Sequence, residues 1–196
     1  MKQGKKITSL IALILCAVLA ISGLCVETVY AANEKMSLKV GFKGKTINLI
    51  KDISDGDRYE MSIASVQKKW GKPKTKKSDY STYYTWKKGK TTIEVSDFDA
   101  TKDGKSYVGS ITISIKDKNG SLWGVKVGMK AETALEKIKK AMDMENVVDN
   151  IDDMFGSGGV GVAYTKDVIS AFTGPYMPIN FELKNGKVTS IGFSRS

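Results

Sequence analysis

The chain has 196 residues, 31 of them Lys or Arg against 21 Asp or Glu, with no histidine and two cysteines. Without histidine there is no Ser-His-Asp or Cys-His arrangement and no histidine-bound zinc, and Cys16 and Cys25 both fall in an apolar N-terminal run. Only Arg58 and Arg195 among the basic residues are arginine, so the charge reads as diffuse lysine solvation, not forked recognition of phosphate or bases.

In chain order, Lys2, Lys5 and Lys6 precede an apolar run from Ile7 to about Val26, and Val29-Tyr30-Ala31 has the small-residue spacing a signal peptidase accepts. This predicts a signal peptide over residues 1–31, cleaved after Ala31, and a secreted or cell-surface protein. The run is long enough to span a bilayer, so an uncleaved anchor is the alternative. Leu15 and Leu24 precede the two cysteines, where a lipoprotein signal has a small residue. Removing Lys2, Lys5, Lys6 and Glu27 from totals of 31 basic and 21 acidic leaves 28 and 20, a net charge of +8 without disulfides. Such a protein is drawn to anionic surfaces: teichoic acids, phospholipid headgroups or acidic proteins.

Residues 32–57 read as a disordered lead-in, Asn33 to Lys35, and a β-hairpin. Leu38, Val40 and Phe42 alternate with polar residues, Lys43-Gly44-Lys45 turns, Ile47 and Leu49 alternate again, and Asp55-Gly56 marks a loop. Ser62 is a good N-cap, with Ile63, Val66 and Trp70 at i, i+3 and i+7 and a stop at Gly71 and Pro73, which predicts a helix of two to three turns. A lysine-rich loop is expected next, then strands over Tyr83–Trp86, Thr92–Ser96 and Tyr107–Lys116. In the last, Ile111, Ile113 and Ile115 oppose Ser110, Thr112 and Ser114. The expected meander has one apolar face for the helix to cover.

A second helix is predicted in AETALEKIKKAM from the stripe Ala134, Leu135, Ile138, Ala141 and Met142, with Glu132 and Glu136 early and Lys139 and Lys140 late. An acidic patch at Asp149, Asp152 and Asp153 and a glycine-rich loop (Gly156, Gly158, Gly159, Gly161) lead to strands at Val162–Tyr164, Val168–Phe172, Ile179–Leu183 and Val188–Phe193. Met61 through Trp70 matches Met129 through Ile138 in register, and Gly109–Ser114 matches Thr189–Ser194. The fold predicted is therefore α+β, with two tandem repeats of helix plus antiparallel meander over residues 58–117 and 118–196, helices on one face and a hairpin in front.

The lead into a short helix, the exit Gly71-Lys72-Pro73, an aromatic strand and the ending Asn185-Gly186-Lys187-Val188-Thr189-Ser190-Ile191 resemble the tandem modules of the β-lactamase-inhibitor-protein-like fold. Outer-membrane assembly lipoproteins of the SmpA/OmlA type carry a single such module. The chain looks closer still to exported proteins of anaerobic Gram-positive bacteria that combine a repeat pair with an N-terminal hairpin. The resemblance covers about residues 38 to 196 and implies a non-enzymatic protein whose polar, concave sheet face or loops engage a partner protein. The inhibitors of that fold are cysteine-bridged, and this chain has no cysteine after residue 25.

Carboxylates are the remaining acid-base option, in Asp97/Asp99, Glu132/Glu136 and Asp152/Asp153. Asp97, Asp99 and Asp103 fail the calcium-loop pattern because Lys102 occupies the glycine position, and the run from Gly156 to Gly161 lacks the lysine of a phosphate loop. No metal, cofactor or nucleic acid is expected. The candidate binding surface is basic and aromatic: Trp70, Lys72, Lys74, Lys76, Lys77, Tyr80, Tyr83, Tyr84 and Trp86. The leading expectation is an exported, non-catalytic protein that binds a protein or an anionic cell-envelope polymer through its sheet face or this edge. The alternatives are an inhibitor of an extracellular hydrolase and, from another class, a carboxylate-dependent glycosidase.

Overall fold

Alternation of apolar and polar residues builds most of the molecule, for which a computed structural model describes residues 36–51, 53, 59–98, 107–144, 160–174 and 178–195. The expectations at 1–31, Asn33–Lys35, Asp55-Gly56, Asp99, Asp103-Gly104, Asp149–Asp153 and Gly156–Gly159 lie outside these residues. The fold is α+β, a strand-rich antiparallel architecture with two helices. A small sheet has the order β2-β1-β8, from β1 (Leu38–Phe42), β2 (Lys45–Ile50) and β8 (Gly120–Leu122). The nine-stranded sheet runs β4 (Lys74–Lys77), β5 (Ser81–Lys88), β6 (Thr91–Phe98), β7 (Tyr107–Ile115), β12 (Lys187–Arg195), β11 (Pro178–Lys184), β10 (Val168–Thr173), β9 (Val160–Tyr164), and β3 (Tyr59–Glu60) pairs with β7.

Register puts the apolar residues in rows across one face. Trp86, Ile93, Ile113 and Phe193 are consecutive cross-strand partners, as are Ile115, Ile191, Phe181 and Ile169. All eight are buried, and each such side chain contributes about 1.5–3 kcal/mol relative to exposure. Helix α1 (Ile63–Trp70) and helix α2 (Ala131–Met142) cover this face, Trp70 meeting Trp86 and Ala134 and Ile138 joining the same core. No helix among the described residues is long and apolar enough to cross a membrane.

The ends of α1 follow from its sequence. The Ser62 hydroxyl accepts from the Ser65 N–H at 3.3 Å, and Gly71 takes a positive φ of 87° that ends the helix, its N–H bonding the Gln67 carbonyl. Helix α2 starts differently. Lys130 provides no side-chain cap, and the Ala131 N–H donates instead to the Gly186 carbonyl in the β11–β12 turn at 2.9 Å.

Three strands depart from the sequence expectation, one of them the two-residue β3, which pairs with β7. Lys74–Lys77, expected as loop, is strand β4, because the β5 backbone supplies partners for a segment that has no apolar alternation of its own. Gly120–Leu122 pairs with β1, a contact between segments far apart in the chain.

Asp117 locks the β5–β6 turn to the β7–β8 turn. Its carboxylate accepts from the Thr91 hydroxyl and Lys90 N–H at 2.6 Å each and from the Asn119 N–H at 2.9 Å. These bonds, the Thr91 hydroxyl first, hold its carboxyl well below the usual carboxylate range.

Two predictions follow from this packing. Trp86→Ala removes a fully packed ring and lowers stability by about 3–5 kcal/mol, read from urea unfolding. As pH falls below about 4, an unfolded aspartate takes up a proton that folded Asp117 does not, so stability drops with acidification. Asp117→Asn makes the drop in urea midpoint between pH 6 and pH 3 smaller.

Candidate functional site

Of the residues singled out for binding, the structure separates the tryptophans from the rest. Trp70 and Trp86 are only 3% and 2% exposed, with ring centroids 5.7 Å apart in an edge-on contact. Their indole N–H groups are spent on backbone carbonyls, Trp70 on Lys45 at 3.1 Å and Trp86 on Gly71 at 2.9 Å. This corrects the expectation for these two residues: they are core, because the helices cover the face of β5 that carries Trp86. Lys72, Lys74, Lys76 and Lys77 are exposed, and Tyr80 is 80% exposed. Lys74 and Lys76 lie opposite Thr85 and Tyr83, on the face away from the helices.

Tyr83 and Tyr84 are half-buried and take opposite faces, as strand alternation requires. Tyr84 shares Trp86's face, and its hydroxyl donates to Asp97 Oδ2 at 3.0 Å, while Asp97 Oδ1 accepts from the Thr82 N–H at 3.2 Å. Burial, and then the hydrogen bond to this carboxylate, push the Tyr84 phenol above its ordinary value.

The face away from the helices is built from hydroxyl and amide side chains. Thr85 donates to Glu94 Oε2 at 2.8 Å, the Ser96 and Ser110 hydroxyls are 2.9 Å apart, and those of Thr112 and Ser194 are 3.3 Å apart. At the junction of β7, β12 and β11 this face opens into a groove of about 410 Å³, flanked by Thr112, Ser114, Asn180, Glu182, Ser190 and Ser194. Gly192 makes it. It lies between Ser114 and Asn180, and a Cβ built there would meet no atom within 4 Å. The reading of the sequence did not single out Gly192. The signal was present as a glycine inside the alternating strand Ser190-Ile191-Gly192-Phe193-Ser194, a position where close approach of another molecule is common.

Among the described residues the carboxylates do not converge. Glu94 bonds Thr85 and Asp97 bonds Tyr84, neighbours that point to opposite faces of β5, so the two acids cannot flank one substrate. Glu132 and Glu136 are exposed on α2, the latter 3.6 Å from Lys139. Among the described residues no group of three or more cysteine or acidic side chains is placed to hold a metal ion.

Comparison of the chain with protein-family models, with curated proteins and with solved structures gives no match.

The Tyr84–Asp97 bond has a spectroscopic consequence. With ring-labelled tyrosine, the Tyr84 resonance titrates above the ordinary tyrosine value, and Asp97→Asn brings that midpoint down, because the accepting charge is gone.

Proposed function

We propose that the chain is an exported, non-catalytic binding protein that engages a partner protein through the polar face of its large sheet. The observation that carries this reading is the groove over Gly192. It is an open recess over the Gly192 backbone, lined by serine and threonine hydroxyls, the Asn180 amide and the charged Lys116 and Glu182, groups that can hydrogen-bond an incoming side chain. Export rests on the N-terminal lysines and apolar run with the Val29-Tyr30-Ala31 site.

The architecture is read as a tandem duplication behind an N-terminal hairpin, in keeping with the β-lactamase-inhibitor-protein-like resemblance. Supporting it, each helix precedes four strands of the large sheet, and the order β4-β5-β6-β7-β12-β11-β10-β9 joins the two sets of strands through their last members. A duplication of this kind places the β7–β12 seam, and the groove beside it, at the centre of the polar face.

A second reading, attachment to an anionic cell-envelope polymer, is favoured by the β4 edge. There Lys74, Lys76 and Lys77 are exposed and have no carboxylate within 4.0 Å among the described residues.

Capture from native cell-envelope extract on the immobilised protein, washed at low and high salt, separates the two. A partner protein retained at high salt, lost with Gly192→Val and kept when Lys74, Lys76 and Lys77 are changed to Gln is the expected result. Valine suits a strand and its Cβ meets no atom within 4 Å at that position, so the expected melting temperature is not lowered, and this is checked before the capture is read. Capture that vanishes at high salt and survives Gly192→Val moves the function to the lysine edge. No capture at either salt sinks both readings for that extract.

A further inference from the structure

The outer edge of β2 and the flank of α1 enclose a second recess, of about 240 Å³, that among the described residues shares no lining residue with the polar-face groove. Ile47, Leu49, Met61 and Val66 line it with apolar surface, and Lys51 and Lys69 stand at it as the charged groups. It is smaller than the roughly 300–1,000 Å³ of small-molecule sites, which suits a single side chain better than a free ligand.

The backbone beside the recess is available in a defined direction. β1 and β2 are joined by Lys43-Gly44, with φ of 50° and 79°, the two-residue turn that closes on a mutually hydrogen-bonded pair, here Phe42 and Lys45. Such pairs alternate along an antiparallel ladder, so Val40 and Ile47 form the next, and Thr46 and Asn48 turn their N–H and C=O groups away from β1. The opposite side of β1 has the matching parity. The Lys43 N–H donates to the Asn119 carbonyl at 2.9 Å and the Trp123 N–H to the Lys39 carbonyl at 2.8 Å, so the odd-numbered residues of β1 face β8. Among the described residues β2 ends its sheet, and Thr46 and Asn48 are both exposed. The Lys69 ammonium reaches the outward Thr46 carbonyl at 3.4 Å, which ties α1 to the edge and sets the width of the cleft.

We propose that this edge binds an extended, acidic peptide segment by strand addition, with one apolar side chain of the segment seated in the recess between β2 and α1. A residue placed opposite Ile47 on an added strand points to the same side of the sheet as Ile47, which is the side the recess occupies. Backbone hydrogen bonds to Thr46 and Asn48 supply the pairing, and the recess selects the apolar residue. Charge identifies the rest of the segment. Lys45 on the strand and Lys51 and Lys69 at the recess are cationic, and among the described residues no carboxylate lines the cavity, so acidic flanks are complementary. A second copy of the chain adding through its own β2 would bring these lysines against one another, which disfavours self-pairing.

The test is fluorescence anisotropy on the full chain, with a labelled peptide that carries one central leucine between threonines and glutamates at both ends. Saturable binding is expected, weakened at least tenfold when the peptide is N-methylated on the amides that face β2 or when its leucine is changed to serine. Asn48→Pro weakens it to the same extent while leaving the β1 ladder intact, since the amide lost points outward. Ser65→Trp fills the recess from an exposed wall position, does not alter the strand edge, and also abolishes binding, so the outcome does not depend on the proline variant folding. Failure of the wild-type chain to bind the peptide overturns the proposal, as does equal binding of the N-methylated peptide or of the Ser65→Trp chain. Sedimentation showing that the chain pairs with itself through β2 and excludes the peptide overturns it in favour of a second copy.

Discussion

The structure depends on burying three indoles without leaving their N–H groups unpaired. A buried donor with no acceptor costs about 1–3 kcal/mol, and each tryptophan avoids this by reaching a backbone carbonyl on another segment. Trp70 reaches Lys45 on β2, Trp86 reaches Gly71 at the exit of α1, and Trp123 reaches Ser37 ahead of β1 at 2.9 Å. Each ring therefore fills core volume and also fixes the position of an element. Phe42, Trp70 and Trp86 form a continuous aromatic series, with centroids 5.6 and 5.7 Å apart, that runs from the small sheet through α1 to the large one. Trp123 over Phe181 at 6.5 Å makes the corresponding connection to the second half of the large sheet.

Once the apolar face of the large sheet is committed to α1 and α2, the surfaces left for other molecules are determined. They are the hydroxyl-lined opposite face, interrupted at Gly192, and the strand edges. Two of the edges, β4 and β2, carry lysine, a residue that discourages one sheet from joining another by accident, whereas β8 and β9 carry none. The same charge leaves β4 and β2 open to a partner of opposite sign, which separates wanted from unwanted pairing by electrostatics alone.

Ion pairs contribute little to the fold. Among the described residues the salt bridge is Lys139 with Glu136, and Glu136 is 73% exposed, the kind of pair worth under about 1 kcal/mol. The carboxylates that matter to the structure accept from neutral donors: Asp117 from two backbone amides and a hydroxyl, Asp97 from the Thr82 amide and Tyr84. Among the described residues the lysines of β4 have no carboxylate partner, and their side chains are exposed.

The sequence by itself determined what depends on local periodicity. The stripe Ile63, Val66, Trp70 with its Ser62 cap, the second helix, and the alternation of Ile111, Ile113 and Ile115 against serine and threonine each report one-sided burial within a single segment. It also placed Tyr84 and Trp86 on one face and Tyr83 on the other. Which of those faces the helices would cover was decided only by tertiary structure, and that choice moved Trp70 and Trp86 from candidate ligand contacts into the core. Lys74–Lys77 became a strand through hydrogen bonds supplied by β5, and Gly120–Leu122 through a partner distant in the chain, neither of which leaves a periodic trace. The recess beside β2 exists between elements, where side chains from separate segments converge, and no local pattern encodes such a space; of the groove over Gly192 the sequence carries only the glycine within an alternating strand.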